Sequence, residues 1–184
     1  MSLLNKTRKL NKILQKSGTE PVVFDDICEI LSEELHSDVY VVSRRGKILG
    51  HKFTYPFTTK DEYSSVLEEM KYSDDYNDTL LKIGETLVNL SADERYVLNI
   101  EKEYEGKDKI TTIVPINGNR ERLGTLILVS LEGEYTDEDI VLAEYSATII
   151  GLEILRSKQL ESEEDQRKND VVDLAIQTLS YSEK

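Results

Sequence analysis

The chain of 184 residues has one cysteine, Cys28, three prolines, three phenylalanines and no tryptophan. A lone cysteine cannot close an intramolecular disulfide or build a multi-cysteine zinc site, and the expected address is a reducing cytoplasm. No apolar run reaches the roughly 20 residues that a membrane-spanning helix needs, and MSLLNKTRKLNK has neither the apolar centre nor the cleavage site of a signal peptide. Positive charge is also scarce, with 23 Lys and Arg against 36 Asp and Glu and a formal net charge of -13. A phosphate backbone is held mainly by Lys and Arg displacing counterions, so this chain alone is not expected to bind DNA. Its length suits one domain plus an extension and is too short for two ordinary domains.

Signatures of catalysis are missing as well. His36 and His51 have no Cys, His or acidic partner at ligand spacing, so no metal site is expected. Cys28 falls on the apolar stripe of a helix and reads as a buried structural thiol. No serine occupies a G-x-S-x-G elbow. The glycine-framed GNRERLGT, Gly118 to Thr125, lacks the G-x-x-x-x-G-K-[ST] pattern and reads as a hairpin, with GNR as turn residues and a glycine marking a bulge or close backbone approach. No catalytic residue is expected.

What is present alternates between two periodicities. Leu3, Thr7, Leu10 and Leu14 recur at three- and four-residue steps among Lys and Arg, and Phe24, Ile27, Cys28, Leu31 and Leu35 form a second helical stripe behind Asp25 and Asp26. DVYVVSRRGKILGHKF then crowds β-branched and aromatic residues on both sides of Arg45-Gly46, which predicts two strands and a tight turn. The Arg44, Arg45 and Lys47 cluster at that turn reads as a solvated loop or as salt-bridge partners for the chain's many carboxylates. Residues 58 to 83 return to helical spacing, with a break near Ser73, and predict two inserted helices. RYVLNIEK, KITTIVPI and ERLGTLILVS predict three further strands, with Pro115 suited to a strand end, an edge or a bulge. From Thr136 and Asp139, a capping-box-like pair, a long helical pattern runs through Ile140, Ala143, Ala147, Ile150 and Ile154. It turns polar from Ser157 to Asp170 and regains an apolar face at Val171, Leu174, Ala175 and Leu179. A helix that leaves its domain needs a partner, which predicts helix-mediated dimerisation, with the N-terminal helix as a second candidate surface.

The implied fold class is α+β: an antiparallel sheet with helices packed on it, inserted helices over the ligand face and a long C-terminal helix. A sheet face roofed by the 58 to 83 insertion is a natural small-ligand pocket.

Several stretches together, LLNKTRKLNKILQ, VVSRRGKILG, TTIVPI, ERLGTLIL, LAEYSAT, GLEILR and AIQTLSYSE, resemble the CodY family of transcriptional repressors from low-GC Gram-positive bacteria. The resemblance implies a GAF-like sensor domain over residues 1–155 and a linker helix region over 156–184. It further implies a homodimer, and a winged helix-turn-helix domain downstream that alone would contact DNA. It also implies that isoleucine, and with it valine and leucine, is the effector, and that GTP is a second effector with no residues to assign here. Carried over by position, the amino-acid pocket draws on Tyr63, Val66 and Tyr72 from the insertion and on Val97, Leu98, Asn99 and Ile100 from the strand after it. An arginine that family members use for the ligand carboxylate is replaced here by Asp61 and Glu62, which leaves Lys60 or a backbone amide for that role.

Overall fold

The computed structural model describes residues 1–16, 24–54, 69–100 and 109–182. Helices α1 (Leu3–Lys16) and α2 (Phe24–Leu35) precede strands β1 (Asp38–Ser43) and β2 (Ile48–Lys52). Helix α3 (Asp74–Leu81), strand β3 (Leu87–Leu90) and helix α4 (Ala92–Val97) follow. Strands β4 (Ile110–Gly118) and β5 (Glu121–Ser130) and the long helix α5 (Asp137–Ser182) complete the fold. The five strands form one antiparallel sheet in the order β2-β1-β5-β4-β3.

Alternation along the strands divides the apolar residues between two layers. Val39, Val41, Leu126 and Leu128 face a core made with Leu10, Ile27, Leu31, Leu142, Ile149 and Ile150 of the three long helices. Cys28 belongs to that core, and burial pushes its thiol well above the ordinary range, as expected of a structural cysteine. Two lysines of α1 are engaged with α2 rather than left free on an outer face. Lys6 donates to the Glu34 carbonyl at 3.3 Å, and Lys9 is hydrogen-bonded to the Glu34 carboxylate, which raises the Lys9 pKa.

Both hairpin turns follow from their residues. In the first, Gly46 sits at φ +84 and its N–H donates to the Ser43 carbonyl at 3.0 Å, the geometry of a three-residue loop closed by a left-handed glycine. In the second, Asn119 and Arg120 both have positive φ, 51 and 62, as a two-residue type I′ turn requires. Gly124 permits the close approach foreseen for a strand glycine: a Cβ there would stand 2.2 Å from the Val42 carbonyl oxygen. Pro115 lies where β4 has run past its pairing with β3, which ends at Leu87↔Ile113, so its missing N–H leaves no β3 partner unsatisfied.

At the start of α5 the Thr136 hydroxyl accepts from the Asp139 N–H while the Asp139 carboxylate accepts from the Thr136 N–H, a capping box. The helix is covered by the domain as far as Leu155, and from Lys158 to Tyr181 it is exposed on every side. One expectation is corrected: the described part of RYVLNIEK, residues 95–100, is not a strand. Arg95, Tyr96 and Val97 belong to α4, and the chain then turns through Asn99 at φ 57. The sheet's edge is instead β3, four residues upstream. The reason is local: Ser91 and Glu94 form a capping box, the Ser91 hydroxyl accepting from the Glu94 N–H and the Glu94 carboxylate accepting from the Ser91 N–H at 2.8 Å. Those backbone bonds outweigh the strand preference of Tyr96 and Val97.

Candidate functional site

The second face of the sheet presents Tyr40, Val42, Ile48, Ile113 and Ile127. It is roofed by shorter pieces: residues 70 to 72, helix α3 and the turn after α4, which contribute Tyr72, Leu80 and Ile100. Among the described residues no long helix covers this side.

The roof is fastened at its margins by hydrogen bonds. The Tyr72 N–H donates to the Gly46 carbonyl at 2.9 Å, and the Ile48 N–H donates to the Met70 carbonyl at 2.8 Å. Ser73 caps α3, its hydroxyl accepting from the Tyr76 N–H at 3.3 Å. Buried Asn77 donates through Nδ2 to the Arg44 carbonyl at 2.9 Å, which docks α3 on the first hairpin turn, while its Oδ1 has no partner among the described residues. At the opposite end of α3, Arg122 of β5 donates to the carbonyls of Leu80 and Ile83, and partial burial lowers its pKa without depriving it of charge. Arg95, only 4% exposed, donates to the carbonyls of Leu90 at 2.9 Å and Lys109 at 2.7 Å, and so ties the two ends of the 91–109 segment together.

The expected ligand residues separate on this geometry. Tyr72 is 9% exposed and its ring stacks on Tyr76 with centroids 4.8 Å apart; Ile100 is 7% exposed, and both belong to the roofed cluster. Val97, at 81% exposure, Leu98 and Asn99 turn outward from the end of α4 and are not brought to that face. Lys60, Tyr63 and Val66 lie outside the described residues. Sequence reasoning missed Asn77, Arg95 and Arg122. Each stands beside an acidic residue, in SDDYNDT, SADERY and NRERL, so the sequence reads as solvated polar surface and carries no signal of burial.

A different cavity, of about 350 Å³, opens along the free part of β4, between Gly84, Thr86, Pro115 and Asn117 on one side and Glu144 and Thr148 of α5 on the other. The Thr86 hydroxyl donates to the Glu144 carboxylate across it at 2.8 Å. Its walls are largely polar and it is wide open, so it suits an aliphatic side chain poorly; the roofed face is apolar and its cluster residues are buried. Among the described residues no group of His, Cys, Asp or Glu could hold a metal ion, and no helix is long and apolar enough to cross a membrane.

An antiparallel sheet in this strand order, with long helices on one face and a short-element roof on the other, is the architecture of a GAF domain. The GAF domain of a phosphoenolpyruvate-protein phosphotransferase from Coxiella burnetii shares the fold, with a TM-score of 0.62 at 14% identity over 88% of this chain and 99% of that one. A family model described as the CodY GAF-like domain matches residues 2–178, and the chain belongs to the CodY family. Relatives named global transcriptional regulator CodY, from Clostridium botulinum strain Hall and from Clostridium kluyveri, are each 59% identical over 182 residues, 99% of this chain and 70% of theirs. The cofactor-binding GAF domain of the nutrient sensor CodY from Clostridium difficile matches with a TM-score of 0.61 at 43% identity, covering 84% of this chain and 99% of that one. The chain therefore carries the sensor domain of a family of transcriptional regulators.

Proposed function

We infer that the roofed face binds a branched-chain amino acid, isoleucine above all and with it valine or leucine, and that occupancy is communicated along α5 to a DNA-binding domain downstream. The chain performs no chemistry in this reading and acts in the cytoplasm. Residues 1–155 form the sensing unit and 156–184 the connecting helix. The observation that carries it is the enclosure of Tyr72 and Ile100, two of the pocket residues implied by resemblance, in one apolar cluster under a roof held by hydrogen bonds. A branched aliphatic side chain gains roughly 0.8 kcal/mol per buried methylene in such surroundings, while its ammonium and carboxylate need fixed polar partners. Lys60 or a backbone amide of the insertion is the proposed partner of the carboxylate, with Tyr63 and Val66 completing the pocket.

The inference includes a homodimer formed through α5, whose Val171, Leu174, Ile176 and Leu179 stand exposed along a helix that extends beyond the domain. It does not extend to a GTP site at GNRERLGT: those residues form the β4–β5 hairpin, with Gly124 against Val42. Calorimetry with isoleucine is the direct test. Saturable heat and a raised melting temperature at millimolar ligand are expected; neither heat nor a melting shift would reject the assignment.

A further inference from the structure

Simple alternation along β5 would send Arg122 to the side of Leu126 and Leu128, into the helix-packed core. The register instead passes from Ile116↔Gly124 to Asn117↔Arg122, so that Leu123 is an extra residue, a β-bulge. The bulge reverses the alternation: Leu123 enters the helix-side core, and Arg122 turns to the roof. There Nη1 donates to the Ile83 carbonyl and Nη2 to the Leu80 carbonyl at 3.2 Å and the Thr125 hydroxyl at 3.0 Å, while Nε donates to the Gly124 carbonyl at 2.6 Å. Leu80 and Ile83 straddle the C-terminal end of α3, the negative end of the helix dipole, where the Leu80 carbonyl also accepts from the Ile83 N–H at 3.1 Å. None of the acceptors is a carboxylate, so the helix end itself supplies the charge complement.

The same hairpin grips the long helix. A Cβ on Gly151 would lie 2.8 Å from the carbonyl oxygen of Asn117, the register partner of Arg122, and one on Gly118 would lie 3.0 Å from Leu155 Cδ1. Residues 151–155 are the last stretch of α5 that the domain covers. Roof helix, Arg122, hairpin and the exit of α5 are thus contiguous through the Arg122 guanidinium and two close glycine contacts that leave little slack.

We propose that Arg122 is a positioning residue that ties the C-terminal end of α3, through the bulged β4–β5 hairpin, to the last anchored turn of α5, so that movement of the roof reaches the long helix by this route. The ligand that moves the roof rests on the sensor reading above; the tie does not.

Hydrogen exchange on the 184-residue chain, with and without isoleucine, tests it in R122M, R122K and N77A. In unliganded R122M, exchange is expected to quicken about tenfold at residues 80–84 and also at 151–157, with β1 unchanged. R122K keeps the charge without the planar fork and restores part of the protection at 80–84. N77A frees the other end of the roof, and is expected to leave 151–157 as in wild type. Isoleucine slows exchange at 151–157 in wild type and not in R122M. Faster exchange at 80–84 with 151–157 unaltered would overturn the route, and no change at either would overturn the tie. If wild type takes up no isoleucine, the sensor reading fails, and R122M against N77A without ligand still decides the tie. If R122M does not fold, R122K carries the same comparison.

Discussion

On one side of the sheet, Val39, Val41, Leu126 and Leu128 meet three long helices whose fully buried side chains run from Leu10 to Ile150. On the other, Tyr40, Val42, Ile113 and Ile127 meet an eight-residue helix and short connecting segments. The first face is closed by continuous apolar contact, each buried aliphatic side chain contributing about 1.5–3 kcal/mol. The second has a smaller apolar cluster, and its rim is closed by hydrogen bonds to the two hairpin turns. Met70, at the edge of that roof, is held at φ 50, a conformation that costs an unbranched side chain about 1–2 kcal/mol. A face built by packing opens only when the domain unfolds. One fastened at its rim opens with the loss of a few directional bonds, which is what a binding site that must admit and enclose a small molecule needs.

The sharpest way to break the contrast is to shorten one fully buried side chain on each face. Ile150→Ala should cost about 3–4 kcal/mol and lower the midpoint of a single cooperative urea transition. Leu80→Ala removes comparable volume under the roof but should cost only about 2 kcal/mol globally, because the short roof relaxes around the cavity. Its main effect should be faster hydrogen exchange at 70–83. Equal global losses and no local signal would mean that the two faces are one cooperative unit.

A smaller effect concerns pH. Acceptance of the Ser91 N–H, then of its hydroxyl, holds the Glu94 carboxyl below its usual value. A depressed folded-state pKa contributes stability that is fully present above the unfolded value of about 4.3 and is lost as pH falls through the folded one. Protection of the α4 amides should therefore decline on acidification below pH 4 before the helix-packed face responds. Glu94→Gln, which removes the titrating carboxyl, should abolish that pH dependence, and its persistence in the variant would assign it elsewhere. Smallest is Arg120→Gly, which relieves a left-handed arginine in the type I′ turn and should raise stability by about 0.5–1 kcal/mol without altering the roof, as read by thermal unfolding and exchange together.

The helix-packed face was largely legible in the sequence because it obeys periodicity. The stripe of α2, the alternation of β1 and the Thr136–Asp139 box all act through neighbours three or four residues apart, or two. The roofed face was legible only in part, since short-range devices there override propensity. Tyr96 and Val97 favour a strand by residue type, yet the Ser91–Glu94 box winds them into α4 and turns Val97 outward. Arg122 was hidden for a related reason: one inserted residue, Leu123, reverses its side, and a bulge has no signature beyond a nearby glycine. Tyr72 and Ile100 were picked out by family resemblance, and composition alone would not have separated them from other core residues.

The bare stretch of α5 also sets a scale for how far a small event at the sensor can carry. From Lys158 to Ser182 a helix rising 1.5 Å per residue projects roughly 37 Å, and a tilt of only about 5° at its base sweeps the far end through roughly 3 Å. That is about a full hydrogen-bond length, gained from a rotation too small to disturb the core at Ile150. Under the proposed reading the helix is a lever with its fulcrum near Gly151, and the bulk of whatever it carries need not touch the ligand to be moved by it.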